Sequence, residues 1–267
     1  MIGFREVNSG LRSLGLDPAQ PVIVHASLSA FGEVRGGAET LLGALLSSQR
    51  AVMMPAFTFK TMLIPEDGPA DNAFDYGRGR DQNLMAEFFK PDMPVDPALG
   101  GIAELLRRQP GAHRSLHPIL SFSGIQVDTA LATQTLAEPW APIAALEEQV
   151  GWVLLMGVNH TCNTSIHYAE LLAGRTQFTR WALTYDGVRE CPGFPGCSNG
   201  FEKASVWLQN LTRRVQIGAA IVQALPLSAM IERIVAVIHK DPLSFLCDQP
   251  DCPRCNAVRR RQSMATA

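Results

Sequence analysis

An alternation of short apolar strands with a leucine-rich helix constrains the fold of this 267-residue chain more than any other feature. Residues 22–25 (VIVH) are rich in β-branched side chains, residues 38–48 carry leucines on one helical face, and residues 51–59 (AVMMPAFTF) have the pattern of a second strand. This order of strand, helix and strand is typical of an α/β unit. Residues 152–158 (WVLLMGV) are apolar almost throughout, as expected for a strand covered on both faces. We therefore predict an α/β fold.

The rest of the chain adds further elements to this unit. Apolar spacing predicts helices over residues 4–16, 101–109 and 165–173, strands over 118–125 and 176–185, and more helical material over 200–238. Residues 60–98 are different, because they are rich in Pro, Asp and Gly and show little periodicity. A segment of that length inside a compact domain usually forms a lid or a binding loop. Since the sequence shows no repeat and no obvious linker, residues 1–267 are predicted to form a single domain.

The composition excludes several classes of protein. Hydrophobic residues make up 46% of the chain and charged residues 18%, which argues against intrinsic disorder. The formal net charge of -2 excludes the basic footprint of a general nucleic-acid binder. No apolar stretch reaches about 18 residues, and the N-terminus lacks a signal-peptide core, so neither a membrane span nor secretion is expected. The expected location is the cytoplasm.

The loop between the first predicted strand and helix has the composition of a phosphate-binding segment. It reads HASLSAFGEVRGG. Ser27 and Ser29 offer hydroxyls, and Arg35 offers a guanidinium. Gly36 and Gly37 have no side chain, so the backbone can come close to a ligand there. Free N–H groups at the start of the following helix would attract a phosphate. The loop matches neither the P-loop nor the G-x-G-x-x-G pattern, so a plain glycine-rich turn with serine capping is the alternative.

A histidine and a carboxylate follow the apolar strand through a short loop. His167 and Glu170 are three residues apart on a predicted helix, so their side chains share one face. A carboxylate beside an imidazole fixes its tautomer and favours its charged form, which suits a general base for an amine or hydroxyl. Ligands of α/β folds gather beyond the carboxyl ends of strands, as here. A surface His–Glu pair without function is the alternative, and Asn163 or Thr164 is the predicted cap of the helix.

Residues 113–118 (HRSLHP), which precede another predicted strand, supply a third set of polar groups. Arg114 could pair with a phosphate and Ser115 could donate a hydrogen bond. Pro118 holds His117 in an extended conformation. The alternative is a plain loop in which Arg114 makes a structural salt bridge.

Half of the six cysteines lie near the C-terminus, as Cys247, Cys252 and Cys255. The last two have the C-x-x-C spacing of zinc sites. A fourth ligand would have to come from elsewhere, and the candidates are His239, Cys191 and Cys197. Because the local set is one ligand short, we expect no metal and keep a structural zinc as a minor alternative. The arginines of this region are predicted to lie in a disordered, solvated end: Arg254, Arg259, Arg260 and Arg261.

Several of these segments together resemble the aminoglycoside 3-N-acetyltransferase family, which is distinct from the small GNAT-fold enzymes. The matching stretches, in chain order, are VIVHASLSAFGEVRGGAETLLGALL, MPAFTF, MPVDPALGGIAELLRRQPGAHRSLHPILSFSG, VGWVLLMGVNHTCNTSIHYAELL, GCSNGFEKA and LCDQPDCPRC. No single stretch is decisive, but their common order and spacing cover nearly the whole chain.

The resemblance implies a three-layer α/β/α fold around a mixed sheet, with long active-site loops. It implies direct transfer of an acetyl group from acetyl-CoA to an amine of an aminoglycoside-like acceptor. It implies that His167 is the catalytic general base, with Glu170 in the same motif. It places acetyl-CoA against Ser27, Ser29, Arg35, Gly36 and Gly37, with the block containing Ser115 nearby. The expected partners are thus a small-molecule amine and acetyl-CoA, without nucleic acid or membrane, and the oligomeric state, a homodimer included, is left open.

Two departures from the family pattern concern the acceptor. Many members have an aspartate six residues before the catalytic histidine, where this chain has Thr161, and a glycine-rich stretch where this chain has residues 138–142 (EPWAP). A polycationic acceptor would need carboxylates, and the candidates are Asp67, Asp71, Asp75, Asp81 and Glu138, unless these are plain solvated loop residues. A different amine substrate, or a non-catalytic CoA-binding homologue, is the alternative function.

Overall fold

The computed structural model describes residues 1–265 of the chain. The helices are α1 (Phe4–Ser13), α2 (Gly37–Ser48), α3 (Arg80–Leu84), α4 (Gly101–Arg107), α5 (Asp128–Ala132), α6 (Ala141–Glu148), α7 (Ser165–Leu172), α8 (Ser205–Leu208), α9 (Leu227–Lys240) and α10 (Pro253–Ala265). The strands are β1 (Val22–Ala26), β2 (Val52–Pro55), β3 (Met62–Leu63), β4 (Ala112–Arg114), β5 (Phe122–Ile125), β6 (Trp152–Met156), β7 (Phe178–Thr184), β8 (Gly187–Phe194), β9 (Arg213–Ile217) and β10 (Ala220–Pro226).

Seven strands form the main sheet, in the order β4-β5-β2-β1-β6-β10-β9. Its centre is parallel, because β1 runs parallel to both β2 and β6. The flanking pairs on both sides are antiparallel. The carboxyl ends of the three central strands therefore meet at one edge of the sheet, where α/β folds place their ligands. The predicted mixed sheet is confirmed.

Successive side chains of β1 enter two different hydrophobic cores, because strand side chains alternate between faces. Val22 and Val24 pack in the core that α1, α2 and α4 cover. Ile23 packs in the core on the other face, which α5, α6, α7 and α9 cover. All three side chains are buried, and each contributes about 1.5–3 kcal/mol by leaving water. The result is the predicted three-layer α/β/α arrangement.

The segment over residues 60–98 is mostly irregular, as predicted, but it is tied to a small second sheet, β3-β7-β8. Asn72 is buried, accepts a hydrogen bond from the Thr179 amide and donates one to the Thr179 carbonyl. The guanidinium of Arg180 lies 4.4 Å from the ring centroid of Phe74. These contacts fix the segment on one side of the molecule.

The predicted helical material over residues 200–238 is present as α8 and α9, but the hairpin of β9 and β10 between them was not predicted, and Gly218 turns that hairpin with a φ of 60°. One prediction about the C-terminal part is wrong. The arginine-rich end is not solvated coil, because residues 253–265 form α10, with Cys255, Ala257 and Val258 buried. Among the described residues, no helix is long and apolar enough to cross a membrane.

Candidate active site

A cleft of about 790 Å³ opens at the carboxyl ends of β1, β2 and β6. Its walls come from the segment after β1, the start of α4, the loop and first turns around α7, and the loop after β8. Residues from each wall are Ser27, Gly100, Thr164, His167 and Asn199. A volume of this size is typical of a site for a small molecule.

His167 faces this cleft and belongs to a buried chain of three charged or titratable groups. Its Nδ1 lies 2.8 Å from Oε2 of Glu170, and Nη1 of Arg175 donates to Oε1 of the same carboxylate at 2.6 Å. All three side chains are at most 8% exposed. Since an ionised carboxylate only accepts hydrogen bonds, the bond to Glu170 puts the ring proton of His167 on Nδ1 and leaves Nε2 for a substrate.

Two aromatic rings fix the orientation of this imidazole. The ring centroid of His167 lies 5.7 Å from that of Trp140 and 4.7 Å from that of Phe201. Trp140 is held in turn, because its indole N–H donates to the Gly193 carbonyl. Neither aromatic residue was evident as part of the site, because each is distant from His167 in sequence. Trp140 lies within the stretch 138–142 that departs from the family pattern.

A side-chain cap satisfies a backbone amide at the start of α7, the helix that carries His167. The buried Asn163 accepts a hydrogen bond from the Ser165 amide through its side chain. Thr164 occupies the N-cap position without a capping side-chain bond. Of the two predicted caps, Asn163 thus supplies the accepting oxygen, which satisfies an amide at the helix start.

His25, at the end of β1, is a cleft residue that the sequence analysis did not single out. It is buried, and its Nε2 lies 3.5 Å from the Thr164 hydroxyl. Burial, with a smaller contribution from the nearby His160, lowers the pKa of His25 to about 3. His25 is therefore neutral at physiological pH. Its place at the carboxyl end of a central strand was the available signal.

The predicted phosphate-binding segment is split by the structure. Ser27 and Ser29 line the cleft, and their hydroxyl oxygens are 3.1 Å apart. Arg35, Gly36 and Gly37 lie further along, at the start of α2, and are not among the described residues that line the cleft. Their contact with acetyl-CoA stays a prediction.

The residues of the 113–118 block have structural partners. The Ser115 hydroxyl accepts from the Phe122 amide at 2.8 Å and does not line the cleft within the described chain. Arg114 donates to Ser121 and to the backbone carbonyls of Pro91, Met93 and Ala56. It thus binds strand and loop backbone, and it makes no salt bridge among the described residues. Its pairing with a phosphate stays a prediction. The role of Ser115 toward acetyl-CoA stays a prediction.

Comparison with known proteins identifies the family. The model of the aminoglycoside 3-N-acetyltransferase family matches residues 23–239, more than half of the chain. The chain belongs to this family.

Relatives and solved structures agree with this assignment. Aminoglycoside N(3)-acetyltransferase IX of Micromonospora chalcea is 34% identical over 181 residues, which cover 62% of this chain and 61% of that protein. The chain is thus matched over about three fifths of that relative's length. The apoenzyme structure of aminoglycoside acetyltransferase AAC(3)-IVa is 26% identical with a TM-score of 0.79, covering 97% of this chain and 96% of that one. A histidine-to-alanine mutant of the same enzyme, in complex with a gentamicin, is 25% identical with a TM-score of 0.78 over the same shares.

This aminoglycoside 3-N-acetyltransferase family member has few charged side chains around its cleft. Of the described residues that line the cleft, none is Asp or Glu, and Arg254 is the only Lys or Arg. Asp71 instead pairs with Arg260 of α10 at 3.0 Å. The structure brings none of the five predicted carboxylates to the cleft lining: Asp67, Asp71, Asp75, Asp81 and Glu138.

The three C-terminal cysteines lie together in the structure, and one of the three candidate fourth ligands lies with them. Cys197, in the loop after β8, lies with Cys247, Cys252 and Cys255. His239 and Cys191 are not part of this group among the described residues. Cys191 lies in the larger core, where burial raises the pKa of its thiol to about 12.

Proposed function

We propose that this protein is an acetyl-CoA-dependent N-acetyltransferase in which His167 is the general base. The observation that carries the proposal is the chain from His167 through Glu170 to Arg175, buried behind a cleft at the ligand edge of the sheet. Membership of an acetyltransferase family supports the reaction class. An imidazole held in one tautomer with Nε2 free is the arrangement of a general base. This favours an enzyme over a non-catalytic CoA-binding protein.

The proposed reaction is direct transfer within a complex of protein, acetyl-CoA and amine. Nε2 of His167 takes a proton from the acceptor amine while the nitrogen of that amine attacks the carbonyl carbon of the thioester. The new N–C bond forms, the C–S bond breaks, and the CoA thiolate leaves with a proton returned from the imidazolium. Glu170 holds Nδ1 and stabilises the imidazolium while Arg175 pairs with the carboxylate. Ser27 and Ser29 are the cleft hydroxyls available to acetyl-CoA.

The first acceptor class is an aminoglycoside, which is what the family name and the gentamicin complex of AAC(3)-IVa indicate. A second class is an amine without multiple positive charges. The observation that favours the second class is the cleft lining, which has no carboxylate in the described residues and one guanidinium, on Arg254. A polycation gains little in such a cleft, since charge complementarity is missing.

The test is a thiol-release assay with acetyl-CoA over a panel of aminoglycosides and of mono-amines that carry neutral or anionic groups. His167→Ala should lower turnover of the accepted amine about a hundred- to ten-thousandfold, the usual loss for a general base. His239→Ala, an exposed histidine on α9, is the matched control and should leave turnover unchanged. Near-normal turnover by His167→Ala would contradict the assigned base. Absence of acceptor-dependent thiol release across the panel would contradict the transferase proposal itself.

A further inference from the structure

Two distant parts of the chain bring four cysteine thiols together. Cys197 comes from the loop after β8, and Cys247, Cys252 and Cys255 come from the turn before α10 and its first turn. Their sulfur atoms all lie within 4.8 Å of one another. Neither these four nor the other two cysteines form a disulfide. In a zinc tetrathiolate, with Zn–S bonds of about 2.3 Å, neighbouring sulfurs are about 3.8 Å apart, so the group has the right size.

The surroundings are those of a structural site rather than an open one. The four cysteines are at most 9% exposed and form their own small cluster with Leu246 and Val258. No open position faces the cleft, since none of the four thiols is among the described residues that line it. Closed sites with four sulfur ligands are typical of structural zinc, whereas catalytic zinc keeps one position for water.

Hydrogen-bond donors and cations surround the cluster. The Cys247 amide donates to Sγ of Cys255 at 3.4 Å. Arg259 donates to the Cys247 carbonyl at 2.6 Å, and Lys203 donates to the Leu246 carbonyl at 2.9 Å. Lys203 also pairs with the Asp248 carboxylate, so its charge is compensated locally. Four thiolates around Zn²⁺ carry a net charge of about −2, which the Cys247 amide and the Arg259 guanidinium stabilise.

We propose that Cys197, Cys247, Cys252 and Cys255 bind one structural zinc ion that fastens the start of α10 to the loop after β8. On binding, each thiol loses its proton, four S–Zn bonds form and the hydrated ion releases its water. The oxidation state of sulfur and metal does not change.

The zinc site stands directly behind the cleft wall. Arg254 lies between two of the ligands, lines the cleft and donates to the Gly196 carbonyl at 2.9 Å. The two chain segments also touch at Gly200, where a Cβ would overlap the Phe245 carbonyl oxygen. Ser198 and Asn199, which line the cleft, are next to Cys197. The metal therefore holds the wall formed by residues 195–199 and Arg254 in place.

The first experiment is metal analysis of the full-length protein purified without chelators. We expect one zinc per chain, and after exchange with Co²⁺ the absorption of a tetrahedral tetrathiolate. Cys255→Ser should lose the metal. Cys162→Ser, an exposed cysteine outside the cluster, is the matched control and should keep it. Less than a tenth of an equivalent of zinc in the wild-type protein, iron in its place, or disulfides among the four cysteines would overturn the proposal.

The second experiment measures the mechanical role without using activity. Arg254, Arg259, Arg260 and Arg261 make α10 a trypsin substrate once it detaches. The zinc-loaded protein should resist cleavage there, and removal of zinc by a chelator should accelerate it about tenfold or more, because local opening exposes the helix. Equal cleavage rates with and without the metal would show that zinc does not fasten α10. Both readouts are independent of acetyl transfer, so a failure of the transferase proposal leaves them interpretable.

Discussion

At the scale of single residues, the carboxylate of Glu170 contacts two partners, and the two contacts have different effects. Its Oε2 binds the imidazole of His167, and its Oε1 binds the guanidinium of Arg175, which is 2% exposed. The first contact positions the proposed base, and the second compensates a buried charge. Because a buried cation without its partner costs several kcal/mol, loss of activity in a Glu170 variant could come from either contact.

Two variants separate these contacts. Glu170→Gln should lower kcat about a hundredfold or more with a small change in KM, and should lower stability by about 3 kcal/mol because Arg175 loses its charge partner. Adding Arg175→Met should restore most of the stability but not kcat. Thermal unfolding and steady-state kinetics measure the two effects, and Arg233→Met on exposed α9 surface is the matched control. Recovery of kcat along with stability would show that Glu170 is only structural.

His117 makes the stability of the folded protein depend on pH. Its Nδ1 accepts hydrogen bonds from the Ile119 and Leu120 amides, and burial lowers its pKa to about 4. The unfolded chain, with an ordinary pKa of 6.5, binds a proton that the folded protein does not. Stability therefore falls as pH is lowered from 6.5 toward 4, by about 1.4 kcal/mol per pH unit for this group.

His117→Asn tests this, since an asparagine oxygen can accept the same two amide bonds but does not titrate. Denaturant unfolding at several pH values between 7 and 4 gives the free energy of unfolding as a function of pH. The slope of that plot should be smaller in the variant, by the equivalent of about one proton. Leu116→Asn, at an exposed position of the same block without a titratable group, is the control and should leave the slope unchanged. An unaltered slope in His117→Asn would mean that this imidazole already titrates normally in the folded protein.

At the scale of secondary-structure elements, local patterns predicted the centre of the fold and missed its margins. β1, α2, β6 and α7 lie close to their predicted bounds, because buried strands and helix faces leave a strong apolar period. The hairpin of β9 and β10 is at the sheet edge, where exposed and buried residues mix and the pattern is weak. α10 buries few side chains and depends on contacts with the distant loop after β8, which sequence spacing does not show.

The candidate site divides in the same way. The pairing of His167 with Glu170 was predictable, because side chains three positions apart on one helix lie on the same face. Arg175, Trp140 and Phe201 reach the imidazole only through tertiary packing, so no local pattern pointed to them. The fourth metal ligand was narrowed by residue type to His239, Cys191 and Cys197, and only the fold could choose Cys197.

At the scale of the whole molecule, the charges offer a polycation little guidance. Lys and Arg number 23 and Asp and Glu 25, for a formal net charge of -2, and the described cleft lining adds one guanidinium and no carboxylate. Long-range steering needs a field of one sign, and salt screens such a field over about 10 Å at 0.1 M ionic strength. An enzyme that attracts its acceptor through carboxylates must therefore lose kcat/KM as salt rises. A cleft lined as this one is offers no such attraction, so the proposed activity should depend little on salt.

We expect kcat/KM for the accepted amine, at saturating acetyl-CoA, to change less than about threefold between about 0.02 M and 0.5 M salt. Aminoglycosides and neutral mono-amines should show the same shallow dependence if both are accepted. Because CoA itself is anionic, the measurement holds acetyl-CoA saturating so that its own salt dependence does not enter. A fall of more than about tenfold for an aminoglycoside, with none for a neutral amine, would show that carboxylates beyond the cleft lining guide the polycation. That result would contradict the shallow dependence expected here and would favour the aminoglycoside as the acceptor.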